Sequence, residues 1–248
     1  MNVREFSDKF DTLLDTYSRS PQFGLGTNAY NITVDEYEKS VFLTQAQKNL
    51  VSQYYSGRND FNAAFEEKEE MREALDSLVH TITPTPIDNT ELAQNYIHAF
   101  DGKHTYTFYQ VPEDLMYIIF EEVKFSSYIC GGKSAVVVPT THDELWYKTQ
   151  NPFRGPSTGR VLRVNAEDNL IELVSDYPIG SYLLRYVEEP KPIILTDLPD
   201  GLSIDGISTL TECKLPASIH HRILNDAVAL AIQSKLISQK AAPQDNRS

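Results

Sequence analysis

Apolar positions follow two different periods along this chain. Over roughly the first eighty residues they recur at helical spacing: Phe6, Phe10, Leu13, Leu14 and Tyr17 line one face of a helix over 3–17, which Pro21, Gly24 and Gly26 bring to an end. A loop to about residue 32 follows. Thr33 and Glu36 stand at capping-box spacing, and Tyr37, Val41, Leu43, Ala46 and Leu50 then mark a helix reaching about residue 55. The charged stretch 60–79 carries a thin apolar stripe of Phe61, Phe65, Ala74, Leu75 and Leu78, which reads as a third helix or a helix running into a strand.

Beyond residue 79 the period drops to two. Aromatic and β-branched runs at 79–84, 106–111 and 115–129 predict strands, and Gly131-Gly132 turns the last of these into Ala135-Val136-Val137-Val138 as a hairpin. Thr141-His142-Asp143-Glu144 has the character of a helix start and leads into Leu145-Trp146-Tyr147, which Asn151-Pro152-Phe153-Arg154-Gly155-Pro156 terminates. Three short strands at 161–164, 170–174 and 182–187, joined by polar turns, predict a meander. Pro216 then stands at a first helical position, with Ile219, Ile223, Ala227, Leu230, Ala231 and Ile237 on one face of a final helix. The order is that of an α+β protein: an N-terminal helical region over 1–80, an antiparallel β region over 81–215, a C-terminal helix over 216–240 and a disordered tail over 241–248.

Composition narrows the classes of function. With 248 residues, 41% of them hydrophobic, the chain has enough apolar material for a core without disulfide or metal staples. No run approaches the roughly 18 apolar residues of a membrane span, and the first residues lack the apolar core of a signal peptide, so a soluble protein made in the cytoplasm is expected, with no membrane partner. Cys130 and Cys213 are too few for a disulfide framework or a four-ligand zinc site, and reduced, buried thiols are expected. The net charge is −13, the opposite of a nucleic-acid-binding footprint. Through residue 180 there are 27 acidic and 15 basic residues, whereas the remainder has 8 and 7 and is left free to pack against protein.

The short motifs do not assemble into chemistry. Gly155-Pro156-Ser157-Thr158-Gly159 has the letters of a nucleophile elbow, but that elbow needs a strand before the serine and a helix after it, and here a strand follows. His220 and His221, adjacent on a helix, point about 100° apart and do not chelate through one face; one is expected to pack and the other to face water. His142-Asp143-Glu144 is explained by a polar helix start. Gly24-Leu25-Gly26 and Gly131-Gly132-Lys133-Ser134 each lack parts of a nucleotide-binding loop, and Glu66-Glu67-Lys68-Glu69-Glu70 reads as a solvated helix face. No catalysis, cofactor or metal is expected.

Three stretches carry a resemblance to a known family. They are residues 34–47 (Val34-Asp35-Glu36-Tyr37 and onward), Pro139-Thr140-Thr141-His142-Asp143-Glu144-Leu145 with Asn151-Pro152-Phe153-Arg154-Gly155-Pro156, and residues 183–195 together with 215–228. Together they resemble the virion ring proteins of crAss-like bacteriophages, which form the neck, or head-to-tail connector, between portal and tail. The resemblance implies a virion structural protein, made in the bacterial host. It implies a homo-oligomeric ring of twelve copies that contacts the portal and other neck or tail rings and surrounds a channel through which DNA passes without specific binding. Trp146, Tyr147, Asn151, Pro152, Phe153 and Arg154 are the expected subunit-contact residues, because aromatic and arginine anchors beside a proline-stiffened loop suit an interface. Many acidic copies side by side repel one another, which predicts that assembly draws on apolar burial and tightens as salt rises. A cytoplasmic phage-encoded adaptor and a hydrolase using Ser157 are the alternative readings.

Overall fold

Helices at both ends of the chain and a mixed, mostly antiparallel, curled sheet between them realise the α+β order. The structure is a computed structural model that describes residues 1–18, 33–57, 65, 68–87, 103–126, 132–166, 169–199 and 201–241, with side chains up to residue 235. The expected loop at 20–32, the start of the third helical stretch at 60–64, Cys130 and the tail beyond 241 lie outside the described residues. The chain forms two compact units, one of Met1–Leu78 with Glu189–Ser248 and one of Val79–Glu188.

The first unit contains α1 (Val3–Ser18), α2 (Glu36–Ser56), α3 (Glu69–Leu75) and, after a long irregular run and one 3-10 turn, α5 (His220–Ala241). Phe6, Phe10 and Leu14 of α1 are buried at four-residue intervals, and α5 buries Ile223, Leu224, Ala227, Val228, Ala231 and Ile232. The helix α5 packs on both α1 and α2. The cap of α2 lies two residues beyond the expected Thr33: Asp35 accepts from the Glu38 backbone N–H at 2.7 Å and Glu38 accepts from that of Asp35 at 3.3 Å. Glu36, the other half of the expected box, is occupied elsewhere. With Asp11 it holds the buried Lys39 ammonium, at 2.8 and 2.7 Å, and so clasps α1 to α2. Burial alone would lower the Lys39 pKa, but the hydrogen bonds to Asp11 and Glu36 outweigh it and raise it.

The run after residue 188 is tied to α2 through two hydroxyls. Ser40 Oγ accepts the Leu195 N–H at 3.0 Å and Thr44 Oγ1 accepts that of Ile193 at 3.1 Å, which settles buried backbone donors where no strand partner exists. A tight turn with Asp205 and Gly206 both at positive φ brings Ile204 and Ile207 together. At the start of α5, His220 is buried and His221 exposed. His220 Nε2 donates to the Leu215 carbonyl at 2.7 Å, leaving Nδ1 to accept from the Met1 ammonium at 2.9 Å. Cys213 is a free, half-buried thiol that burial pushes up to about 11.

The second unit is an eight-stranded sheet. Its strands are β1 (Val79–Ile82), β2 (Pro86–Ile87), β3 (Thr105–Gln110), β4 (Leu115–Phe125), β5 (Ser134–Pro139), β6 (Arg160–Asn165), β7 (Leu170–Ser175) and β8 (Ile179–Glu188), in the order β1-β8-β4-β5-β6-β7-β3-β2. The helix α4 (His142–Gln150) crosses from β5 to β6. The edge strands β1 and β2 are consecutive in the chain. Laid flat, eight strands would hold the edges about 34 Å apart, whereas Thr83-Pro84-Thr85 spans at most about 14 Å. The sheet therefore curls, and alternate side chains of β3 to β8 fill its interior, among them Tyr109, Val123, Phe125, Val161, Leu173 and Tyr182.

Two expectations about this sheet are corrected. The pair β5 and β6 is parallel, as the α4 crossover requires. Of the three strands expected as a meander, β6 and β7 do pair, but β7 takes β3 as its second neighbour and β8 lies between β1 and β4. Gly180 shows why β8 leaves: a Cβ there would come within 3.2 Å of the Ser126 backbone, and the Ser126 N–H donates to the Pro178 carbonyl at 3.0 Å, so the start of β8 is drawn onto the end of β4. The hairpin of β4 and β5 forms as the sequence suggests.

Two buried carboxyls in this unit are treated in opposite ways. Glu121 accepts from Arg163 at 2.9 Å and from the Tyr182 hydroxyl at 2.6 Å. Burial pushes its pKa up, and Arg163 and Tyr182 pull against that. Glu172, in register with Phe108 and Val164, is fully buried and neither of its oxygens has a hydrogen-bond partner among the described residues. Burial pushes its carboxyl up to about 7, so the folded protein retains a proton that the unfolded chain gives up near 4.5. Stability is therefore lost as pH rises from about 4.5 to about 7 and stays lowered above that. Glu172→Leu is expected to stabilise the protein at pH 8 by about 1–3 kcal/mol, with the gain shrinking as pH falls towards 4.5; urea unfolding across that pH series measures it.

Candidate interaction surface

The helix α4 is short and its first turn carries Asp143 and Glu144, where carboxylates suit the N-terminal end of the helix dipole. Thr141 occupies the cap without a side-chain cap bond, and His142 Nε2 instead meets the Asn165 carbonyl of β6 at 3.2 Å. One side chain anchors the helix: Leu145 is buried on the outer face of the sheet with Leu162, Val164 and Val174, and Tyr106 and Val138 pack against them. Lys148 donates to Thr140 at 2.8 Å and pairs with Glu144 at 2.8 Å, and this contact holds the exposed Glu144 carboxyl below its ordinary range.

With Leu145 inward, the next two residues of α4 point away from the sheet. Trp146 is 57% exposed and Tyr147 76%. The following turn is rigid although it lies on the surface. The Asn151 carbonyl accepts from the N–H groups of Arg154 at 3.1 Å and Gly155 at 2.7 Å, while Asn151 Oδ1 accepts from that of Phe153 at 2.9 Å. Arg160 of β6 donates to the Phe153 carbonyl at 2.7 Å. The Phe153 ring, 86% exposed, is thus held out by a backbone with little freedom, and Pro152 and Arg154 beside it are exposed while Gly155 and Pro156 are buried. Of the six contact residues expected from sequence, the structure puts Trp146 and Tyr147 on the helix and the other four on the turn that ends it.

Two exposed apolar residues had no signal in the sequence. Val136 of β5 is 62% exposed and Phe120 of β4 is 48% exposed. Both stand on the outer face, because Ala135 and Val137 on one strand and Val123 and Phe125 on the other point into the curl. Register connects them to the turn: Val136 is opposite Arg160 on one side and Glu122 on the other, and Phe120 is the next outward position of β4 beyond Glu122. An unbroken apolar run such as Ala135 to Val138 reads as a strand covered on both faces, and only the limited reach of α4 leaves Val136 uncovered.

Ser157 is placed in a tight turn, paired with Arg160 through N–H to carbonyl bonds of 2.9 and 3.2 Å, and its Oγ accepts from the Gly159 N–H at 3.4 Å. The residues Gly155 to Gly159 thus form a loop that enters a strand, the geometry opposite to that of a nucleophile elbow. Among the described residues no helix is long and apolar enough to cross a membrane.

The family model described as phage tail ring protein 3/4 matches residues 1–243, and the chain belongs to this family. It is 44% identical over 239 residues to "Ring protein 3" of Bacteroides phage crAss001, covering 95% of this chain and 96% of that protein. It is also 29% identical over 247 residues to "Ring protein 4/5" of the same phage, covering 93% and 92%. The resemblance carried by residues 34–47, 139–145 with 151–156, and 183–195 with 215–228 is therefore to true relatives.

The rigidity of the turn has a direct test. A Cβ at Gly155 would lie 2.8 Å from the Lys148 carbonyl oxygen and 2.9 Å from that of Asn151, both backbone atoms. Gly155→Ala is expected to lower stability by about 1–3 kcal/mol, whereas Gly159→Ala, whose Cβ would meet nothing within 4 Å, leaves the melting midpoint near wild type.

Proposed function

We propose that this phage ring protein is a structural, non-catalytic subunit of the virion neck, forming a closed ring of twelve copies between portal and tail around the DNA channel. Family membership supplies the coarse role, a component of a bacteriophage ring. The position in the neck, the twelve copies and the axial neighbours, portal and other ring proteins, follow from the resemblance noted in the sequence. The net charge of −13 supports a place around DNA, since carboxylates repel phosphates and let a duplex slide without sticking.

The observation that carries the reading is the rigid display of Trp146, Tyr147 and Phe153 on α4 and its turn. A monomer has no use for three large exposed aromatics held by a hydrogen-bonded frame, whereas a subunit contact does. Fixing the turn in advance lowers the entropy lost on docking, and aromatic and arginine side chains are the residue types that dominate interface energetics. A specific contact of this kind buries at least about 1,000 Å².

Trp146 is the only tryptophan in the chain, so its emission reports on this surface alone. Assembly is expected to shift the emission to the blue as Trp146 leaves water. Phe153→Ala combined with Arg154→Ala is expected to weaken association by about 10- to 100-fold while circular dichroism of the subunit stays unchanged. Incorporation of the double variant into particles at the wild-type level would remove α4 and its turn from the interface.

A further inference from the structure

The outer face beside α4 has a local charge opposite to that of the protein. On the rows that carry Phe120 and Val136, Arg185 of β8 is in register with Phe120, Arg160 with Val136, and Lys124 lies one outward position beyond Glu122. Arg154 on the turn extends the group. Four cations and two carboxylates, Glu122 and the Glu144 that Arg154 faces, therefore surround three exposed apolar side chains, on a chain whose net charge is −13. Lys124, Arg154 and Arg185 have no ion pair among the described residues.

The complement to this face is present on the same chain in the other compact unit. The helix α3 is fixed by its buried Met71, Ala74 and Leu75, and presents Glu69, Glu70 and Glu73 to solvent against a single basic residue, Arg72, with Asp76 just after it. These four carboxylates likewise have no ion pair among the described residues. Lys124 and Arg185 without an ion pair in one unit, and carboxylates without an ion pair in the other, among the described residues, are the ingredients of a head-to-tail contact between copies, the type of contact that closes into a ring when its rotation allows.

We propose that the cationic, apolar outer face of β8, β4, β5 and β6, together with the 151–156 turn, docks the acidic face of α3 of a second copy of this chain. Phe120, Val136 and Phe153 supply the buried apolar area, and Lys124, Arg154 and Arg185 set the register by pairing with Glu69, Glu70 and Glu73. The exposed phenylalanines and valine favour a protein over a nucleic acid, since a phosphate backbone offers them nothing to pack on. This deepens the ring reading above and rests on it. It also changes the sign of one expectation: charge averaged over the chain predicts association that tightens with salt, whereas this local pairing predicts association that weakens as salt screens it.

Sedimentation of the full chain over a concentration and salt series tests the pairing. Lys124→Glu with Arg185→Glu is expected to weaken self-association by about tenfold or more, and Glu69→Lys with Glu73→Lys to do the same. A mixture of the two variants, each otherwise unchanged, is expected to restore association between unlike chains to near the wild-type level. The positions are exposed, and unchanged unfolding midpoints confirm that all variants are folded. If Phe153→Ala with Arg154→Ala abolishes association but the charge reversals do not, the pairing with α3 is overturned and the ring contact through α4 stands. Association that depends on neither set, a wild-type chain that stays monomeric, or association that strengthens with salt overturns the pairing. So does a loss of duplex DNA binding in Lys124→Glu with Arg185→Glu without any change in self-association.

Discussion

The two edge strands of an eight-stranded sheet are separated in the chain by three residues, and the rest of the second unit depends on that link. Because Thr83-Pro84-Thr85 cannot span a flat sheet, β1 and β2 must approach each other, and every strand between them is bent into the same curl. The curl divides the side chains of each strand into an inner set and an outer set. Tyr109, Val123, Leu173 and Tyr182 become interior, and among the described residues the crossover helix α4 covers part of the outside. The chain enters this unit through β1 and leaves through β8, which are paired neighbours with Val79 opposite Val187. An element whose two ends lie side by side interrupts the helical unit at little cost.

Polar groups inside the two units show how narrowly such cores are balanced. Lys39 and Glu121 are buried groups held by hydrogen bonds of 2.6 to 2.9 Å, which outweigh the cost of burial for Lys39 and only reduce it for Glu121. Glu172 has the same side chain as Glu121 but no partner, and it meets the same problem by holding its proton. The contrast is set by position: Glu121 points into the curl towards Arg163 and Tyr182, whereas Glu172 faces outward between Phe108 and Val164, where neither neighbour can donate.

A ring subunit gains from being rigid where it meets its neighbours. Here the rigid elements and the apolar exposure coincide, since α4, its hydrogen-bonded turn and the outer rows of β4 and β5 carry the large exposed apolar residues of the second unit. Those same rows gather cations in an otherwise acidic chain, so the averaged charge does not describe this face. Beyond a Debye length of about 8–10 Å charges are screened, so what approaches this face meets its nearest charges rather than the average over the chain.

Periodicity along the chain was enough to establish the order of helices and strands, the β4–β5 and β6–β7 hairpins and the terminal helix, because each of these depends on residues close in sequence. The cap of α2 was misplaced by two residues because Thr33 and Asp35 both have a glutamate three positions on, and only the packing of α1 against α2 assigns Glu36 to Lys39. The partners of β7 and β8, the parallel pairing of β5 with β6 and the return of α5 onto α1 and α2 join residues far apart in the chain, and no local pattern encodes them. Exposure is of the same kind: Val136 and Val138 are the same residue type two positions apart on one strand face, and one is exposed while the other packs with Leu145 of α4. The sequence alone therefore determined which segments are helix or strand, through local backbone and side-chain preferences, and the tertiary structure decided which of their faces meet water, because burial is a property of what lies opposite.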